Sequence, residues 1–75
     1  MLYIGGEFFI KEKDLIIILN PNTAKPPLTD KTVTIEQDNT RSIFLTEKDN
    51  RTTAYYSPVK PKTTSKLKIQ EVHDV

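Results

Sequence analysis

Apolar and polar positions along this chain fall into short runs with a period of two or no period, and almost none repeat at helical spacing. Leu2–Ile4 is a short apolar opening closed by Gly5-Gly6, a strong local breaker. Phe8-Phe9-Ile10 reads as a strand, and Lys11-Glu12-Lys13-Asp14 as a charged turn or a short helical turn. Leu15-Ile16-Ile17-Ile18-Leu19 is an unbroken β-branched run, which predicts a central strand covered on both faces. Residues 20–31 hold three prolines and predict a loop, because proline fixes φ and removes an amide donor. Thr32 to Gln37 alternates, with Val33 and Ile35 expected to face inward. Asp38-Asn39 predicts a turn, and Arg41 to Thr46 a further strand around Ile43-Phe44-Leu45. Glu47-Lys48-Asp49-Asn50 then predicts a polar turn, with Thr52 to Ser57 as its hairpin partner. Pro58 and Pro61 end that strand, and Thr63 to Val72 reads as either a short helix or an edge strand.

The pattern therefore predicts a mainly β fold: a small sheet of five or six short, mostly antiparallel strands, with at most one short C-terminal helix. Seventy-five residues allow one domain, placed over residues 1–70 with 71–75 as a frayed tail. A chain of this size hides only roughly 60% of its unfolded surface. Cysteine is absent, so disulfides and the usual Cys/His metal clusters cannot supply the missing stability. Self-association is the expected remedy. The opening residues lack the pattern of a signal peptide, and no apolar run approaches the roughly 20 residues of a membrane helix. A soluble, cytoplasmic protein without membrane partners is expected.

The search for catalytic chemistry is short. The one imidazole, His73, lies three residues from the end. Ser42, Ser57 and Ser65 have no base nearby in sequence. Glu12 and Asp14 are interleaved with Lys11 and Lys13, as in a solvated turn. Gly5-Gly6 carries neither phosphate-loop pattern. The expectation is a binding protein, not an enzyme, with no cofactor and no metal.

Charge distribution changes the picture more than net charge, which is only +1. Residues 1–50 carry six Lys/Arg and eight Asp/Glu, a balance of −2. Residues 51–68 carry Arg51, Lys60, Lys62, Lys66 and Lys68 without an acid, a balance of +5. Such a block attracts polyanions, although it also serves simply as a solvated face. Two other features stand out. Tyr55 and Tyr56 are adjacent on a strand, so they point to opposite faces, one expected in the core and the other at a boundary. Asn39-Thr40-Arg41 places an arginine at a strand entrance, a position suited to phosphate contact.

In their order, these pieces resemble the RemA/RemB-type family, small bacterial regulators of extracellular-matrix (biofilm) genes, and the RemB-like branch more than the other. Tyr3-Ile4-Gly5 is followed by an apolar strand, Lys13-Asp14-Leu15, and a second apolar strand ending at Asn20-Pro21. Thr40-Arg41-Ser42-Ile43-Phe44-Leu45-Thr46 is similar to the family's Thr-Arg or Lys-Ser strand. Tyr55-Tyr56-Ser57-Pro58 and the Thr-rich stretch to Lys66-Leu67-Lys68 are similar to the RemB-like end. The resemblance implies a regulator that binds duplex DNA as a ring-shaped homo-oligomer. It carries phosphate contact to Arg41 and Lys13. The chain departs from the pattern at Asp14 and Asn39, which are arginine in the RemA-like branch, and a proline-rich loop replaces the family's central helix.

The expected nucleic-acid-binding residues are thus Lys13, Arg41, Lys11, Arg51, Lys60, Lys62, Lys66 and Lys68. Arg41 and Lys13 both flank strands and are expected to converge on one rim of the assembly. The alternative is a non-catalytic protein-interaction module that keeps the oligomeric fold without binding DNA.

Overall fold

The computed structural model describes residues 1–60 and 71–72. The described chain is mainly β, with a single 3-10 turn as its helical element. In order, the strands are β1 (Leu2–Gly5), β2 (Phe8–Ile10), β3 (Leu15–Leu19), β4 (Lys31–Thr34), β5 (Ser42–Lys48), β6 (Arg51–Ser57) and β7 (Glu71–Val72). The 3-10 turn, Glu12–Asp14, joins β2 to β3 and is closed by the Asp14 amide donating to the Lys11 carbonyl. β1 and β2 form an antiparallel hairpin, and the others form one sheet in the order β4-β6-β5-β3-β7. That is seven strands, against five or six expected.

β5 is the organising strand. Its residues Ser42 to Thr46 are all buried, so the sheet presses an apolar surface outward on both sides here. On one side the hairpin lies across it. Ile4 and Ile10 pack with Ile18 and Phe44, and Leu2, Leu15, Ile35 and Tyr55 surround them. On the other side Leu19, Ile43, Leu45 and Ala54 form a second cluster, edged by Ile17, Ala24 and Tyr56.

Two bulges make the hairpin and the sheet fit. In the β3–β5 ladder, Leu15 pairs with Thr46 and Ile17 with Leu45, so Ile16 is an extra residue on β3. A bulge of this kind shifts side-chain parity by one. Leu15 therefore joins Ile18 on the hairpin side, Ile17 and Leu19 face the other side, and Ile16 turns out to solvent at 49% exposure. The expected strand Leu15–Leu19 is present, but only its last two residues are fully buried. The second bulge lies between Tyr3 and Gly5 in the hairpin. Gly5 has φ +111°, and a Cβ there would sit 3.0 Å from the Pro58 ring. Both facts require glycine. Beside it, the Ser57 hydroxyl donates to the Ile4 carbonyl and accepts from the Val59 amide, tying the hairpin to the end of β6.

The remaining differences from the sequence pattern are local. The strand expected at Thr32–Gln37 is shorter, β4, and runs parallel to β6. Ile35, just past it, still reaches the first cluster. The turn expected over Glu47–Asn50 is confined to Asp49-Asn50, both at positive φ, 53° and 64°. This is the hairpin turn whose twist matches its strands. Glu47 and Lys48 belong to β5. Tyr55 and Tyr56 do face opposite clusters, yet both are half-buried and neither is a full core residue. β7 pairs parallel with β3 at Ile18 and Leu19, inside the segment expected to fray. Of the helix or edge strand expected at 63–72, residues 63–70 lie outside the described residues and Glu71–Val72 is β7.

The bulge generates the first prediction. Ile16→Thr should change stability by less than about 0.5 kcal/mol, as for an exposed site, whereas Ile18→Ala should cost about 2–5 kcal/mol. Urea denaturation of both variants checks this, and an equal cost at both positions would contradict the bulged register.

Candidate phosphate-binding basin

The antiparallel pairing of β3 and β5 decides where the expected cations lie. Arg41 precedes β5 at the end where Leu19 pairs with Ile43. Lys13 precedes β3 at the opposite end, where Leu15 pairs with Thr46. Strand rise separates them by roughly 17–20 Å. Arg41 and Lys13 therefore lie at opposite ends of the sheet within one subunit, because antiparallel neighbours bring their starting residues to opposite ends.

At the Arg41 end, the Arg41 amide donates to the Ser57 carbonyl at 2.7 Å, fixing the chain as it enters β5. Lys60 follows the end of β6, which is the same end of the sheet. Between them lies a shallow, open basin of about 340 Å³ lined by Asn20, Asn22, Thr40, Arg41 and Lys60. The Asn20 side chain accepts from the Asn22 amide at 2.9 Å, and the amides of Thr23 and Ala24 donate to the Asn20 carbonyl. That turn holds the loop after β3 against the basin. Arg41 and Lys60 are exposed, and no carboxylate is among the lining residues.

Lys11 and Arg51 meet at the other end, around a cleft that Lys48 also lines. Lys48 was hidden from sequence reading because it was assigned to a polar turn. The usable signal was Asp49-Asn50, which as a two-residue turn sets Lys48 directly opposite Arg51. Asn20 and Asn22 carry no charge signal in the sequence, whereas Thr40 belongs to the Asn39-Thr40-Arg41 feature already expected to suit phosphate contact. Lys13 is exposed on the 3-10 turn and lines neither cavity. Lys62, Lys66 and Lys68 lie outside the described residues. Of the serines, Ser42 and Ser57 are buried, and the Ser57 hydroxyl is committed to the hairpin. Among the described residues no group of three His, Cys, Asp or Glu side chains is placed to hold a metal ion, and no helix is long and apolar enough to cross a membrane.

Comparison with family models, with curated proteins and with solved structures found no match to this chain.

One titrating group is clearly shifted. The Asp30 carboxylate accepts from the Thr52 amide at 2.8 Å and from the Thr52 hydroxyl at 3.2 Å. The amide bond is the main cause that holds its pKa below the ordinary 3.8, followed by the hydroxyl, with a smaller contribution from the Arg51 charge. These bonds fasten the start of the edge strand β4 to the start of β6. A carboxyl with a lowered folded-state pKa stabilises the fold above its unfolded value and loses that contribution as pH falls through the folded value. The contribution should therefore be complete above about pH 4. Asp30→Asn should lower the melting temperature at pH 7 and flatten its fall below pH 4, measured by circular dichroism across pH. A variant with an unchanged acid limb would contradict this role.

Proposed function

We propose that this protein is a DNA-binding transcriptional regulator of the RemA/RemB type, acting as a closed homo-oligomer through phosphate contacts. The observation that carries the reading is the basin at the Arg41 end. Two exposed cations, two asparagines and a threonine surround it without a carboxylate, a composition that favours an anion. Arginine offers a planar fork to phosphate, and lysine a point charge. Three further lysines, Lys62, Lys66 and Lys68, follow Lys60 within eight positions of sequence.

Self-association is part of the proposal. β4 is an edge strand, and the hairpin is two-stranded, so each leaves unpaired strand edges among the described residues. A head-to-tail interface that closes makes a ring. Each subunit then presents the same weak basin, and the ring supplies avidity. The mechanism is neutralisation of phosphates, independent of base sequence. The second reading, an interaction module that oligomerises without binding DNA, is favoured by the exposed aromatic pair on the hairpin. There the Tyr3 and Phe9 rings pack tilted to one another, centroids 5.1 Å apart, at 48% and 57% exposure.

Arg41→Ala should weaken binding to all duplex sequences about equally and reduce the salt dependence of affinity by up to about one unit of slope for each subunit engaged. Lys60→Ala should act in the same direction but less, and Lys13→Ala hardly at all. Fluorescence anisotropy at low and moderate salt measures these changes. Light scattering should return the same oligomer, larger than a dimer, for wild type and all three variants. Wild-type protein that ignores duplex DNA at low salt would defeat the DNA reading and favour the interaction module. A stable monomer at micromolar concentration would defeat the assembly.

A further inference from the structure

The β5–β6 ladder is graded along its length. Phe44 faces Tyr55, Thr46 faces Thr53, and Lys48 faces Arg51. Alternation puts these six side chains on one face of the sheet. From Tyr55 to Arg51 the face passes from aromatic through hydroxyl to cationic in about 13 Å. The hairpin covers the first step, where Ile4 and Ile10 pack on Phe44 and the Phe8 ring lies 6.4 Å from that of Tyr55, and Thr46 in the second step is still buried. From Thr53 to Arg51 and Lys48 the face opens, which leaves a cleft of about 270 Å³. Tyr55 forms its aromatic part and Thr53 its hydroxyl part, with Lys48, Arg51 and Lys11 as its cationic part; the Phe9 ring packs on Tyr3 on the outer face of the hairpin.

Asp14 is the one carboxylate lining this cleft, against three cations. Among the described residues none of the three cations is held in an ion pair. The cationic part therefore has charge to offer a ligand. A phosphate monoester carries about −1.5 to −2 at neutral pH, which suits such a cluster better than a single carboxylate does. The volume sits at the lower limit of small-ligand sites, roughly 300 Å³, and restricts the ligand to one ring system with one phosphate group.

We propose that this cleft binds a mononucleotide. The base lies against Tyr55, a sugar hydroxyl reaches Thr53, and the phosphate sits between Lys48, Arg51 and Lys11. The site is at the opposite end of the sheet from the basin assigned to DNA, and it does not rest on that assignment. Its occupant is a free nucleotide, because the hairpin and the Asp49-Asn50 turn confine the cleft to one end of one ladder.

A ¹H–¹⁵N NMR titration of the full chain with AMP, run beside adenosine and inorganic phosphate, tests the proposal. AMP should shift the amides of Thr46, Lys48, Arg51 and Thr53 and saturate with a Kd of about 1 mM or tighter. Adenosine and phosphate should each bind at least about tenfold more weakly, because each supplies only one part of the contact. Lys48→Gln and Arg51→Gln should weaken AMP by about tenfold while the melting temperature stays within a few degrees, since both side chains are exposed. No saturable shift at these residues would overturn the proposal. So would phosphate binding as tightly as AMP, which would mark a simple anion site. A short single-stranded oligonucleotide that bound more tightly, with shifts running beyond the cleft, would replace the free nucleotide by a strand.

Discussion

Burial of β5 on both faces is the constraint on which the rest of this structure depends. A strand with five consecutive buried residues needs a layer on each side, and a chain of 75 residues has little left to make them. The β1–β2 hairpin supplies one layer, seated over Phe44 and fastened by the Ser57 hydroxyl to the Ile4 carbonyl. Gly5 lets the hairpin backbone approach Pro58 closely enough for that bond. On the other face, Ala24 of the proline-rich loop reaches the second cluster. Both candidate sites follow from this arrangement. The hairpin stops partway along the β5–β6 ladder and leaves the cleft, while the loop after β3 turns back to wall the basin.

Much of this fold was legible because strand and turn chemistry is local. The apolar runs at Phe8–Ile10 and Leu15–Leu19, the breaker at Gly5-Gly6 and the prolines of the loop each act on their own neighbours. What the sequence did not reveal was parity and partnership. Five apolar residues in a row give no alternation from which the Ile16 bulge could be read, so an outward isoleucine was indistinguishable from a buried one. The parallel pairing of β4 with β6 depends on the path of the intervening loop, not on the residues of either strand. The tyrosines illustrate the same limit. Their opposite orientation follows from strand geometry, but the burial of Tyr55 depends on the hairpin across its face and that of Tyr56 on what covers the other face, where Ala24 of the loop lies.

The candidate site was legible in kind and not in place. Arg41 and Lys60 were singled out for charge and do lie together. Lys13 was grouped with Arg41 because both flank strands, but antiparallel pairing sends them to opposite ends. The cations therefore divide into two sets with different surroundings. Those at the Arg41 end share an open, polar basin suited to a phosphate backbone passing across it. Those at the Arg51 end share a cleft that Tyr55 also lines. A single sheet thus presents two clusters of cations, separated by the length of β5.

The central claim is that duplex DNA is held at the Arg41 end alone. An NMR titration of the wild-type protein with a short duplex at low salt tests it most directly. The account predicts shifts concentrated at Asn20, Asn22, Thr40, Arg41 and Lys60, with the amides of residues 46–53 unmoved. Shifts centred on Lys48 and Arg51, or spread equally over both ends, would contradict it.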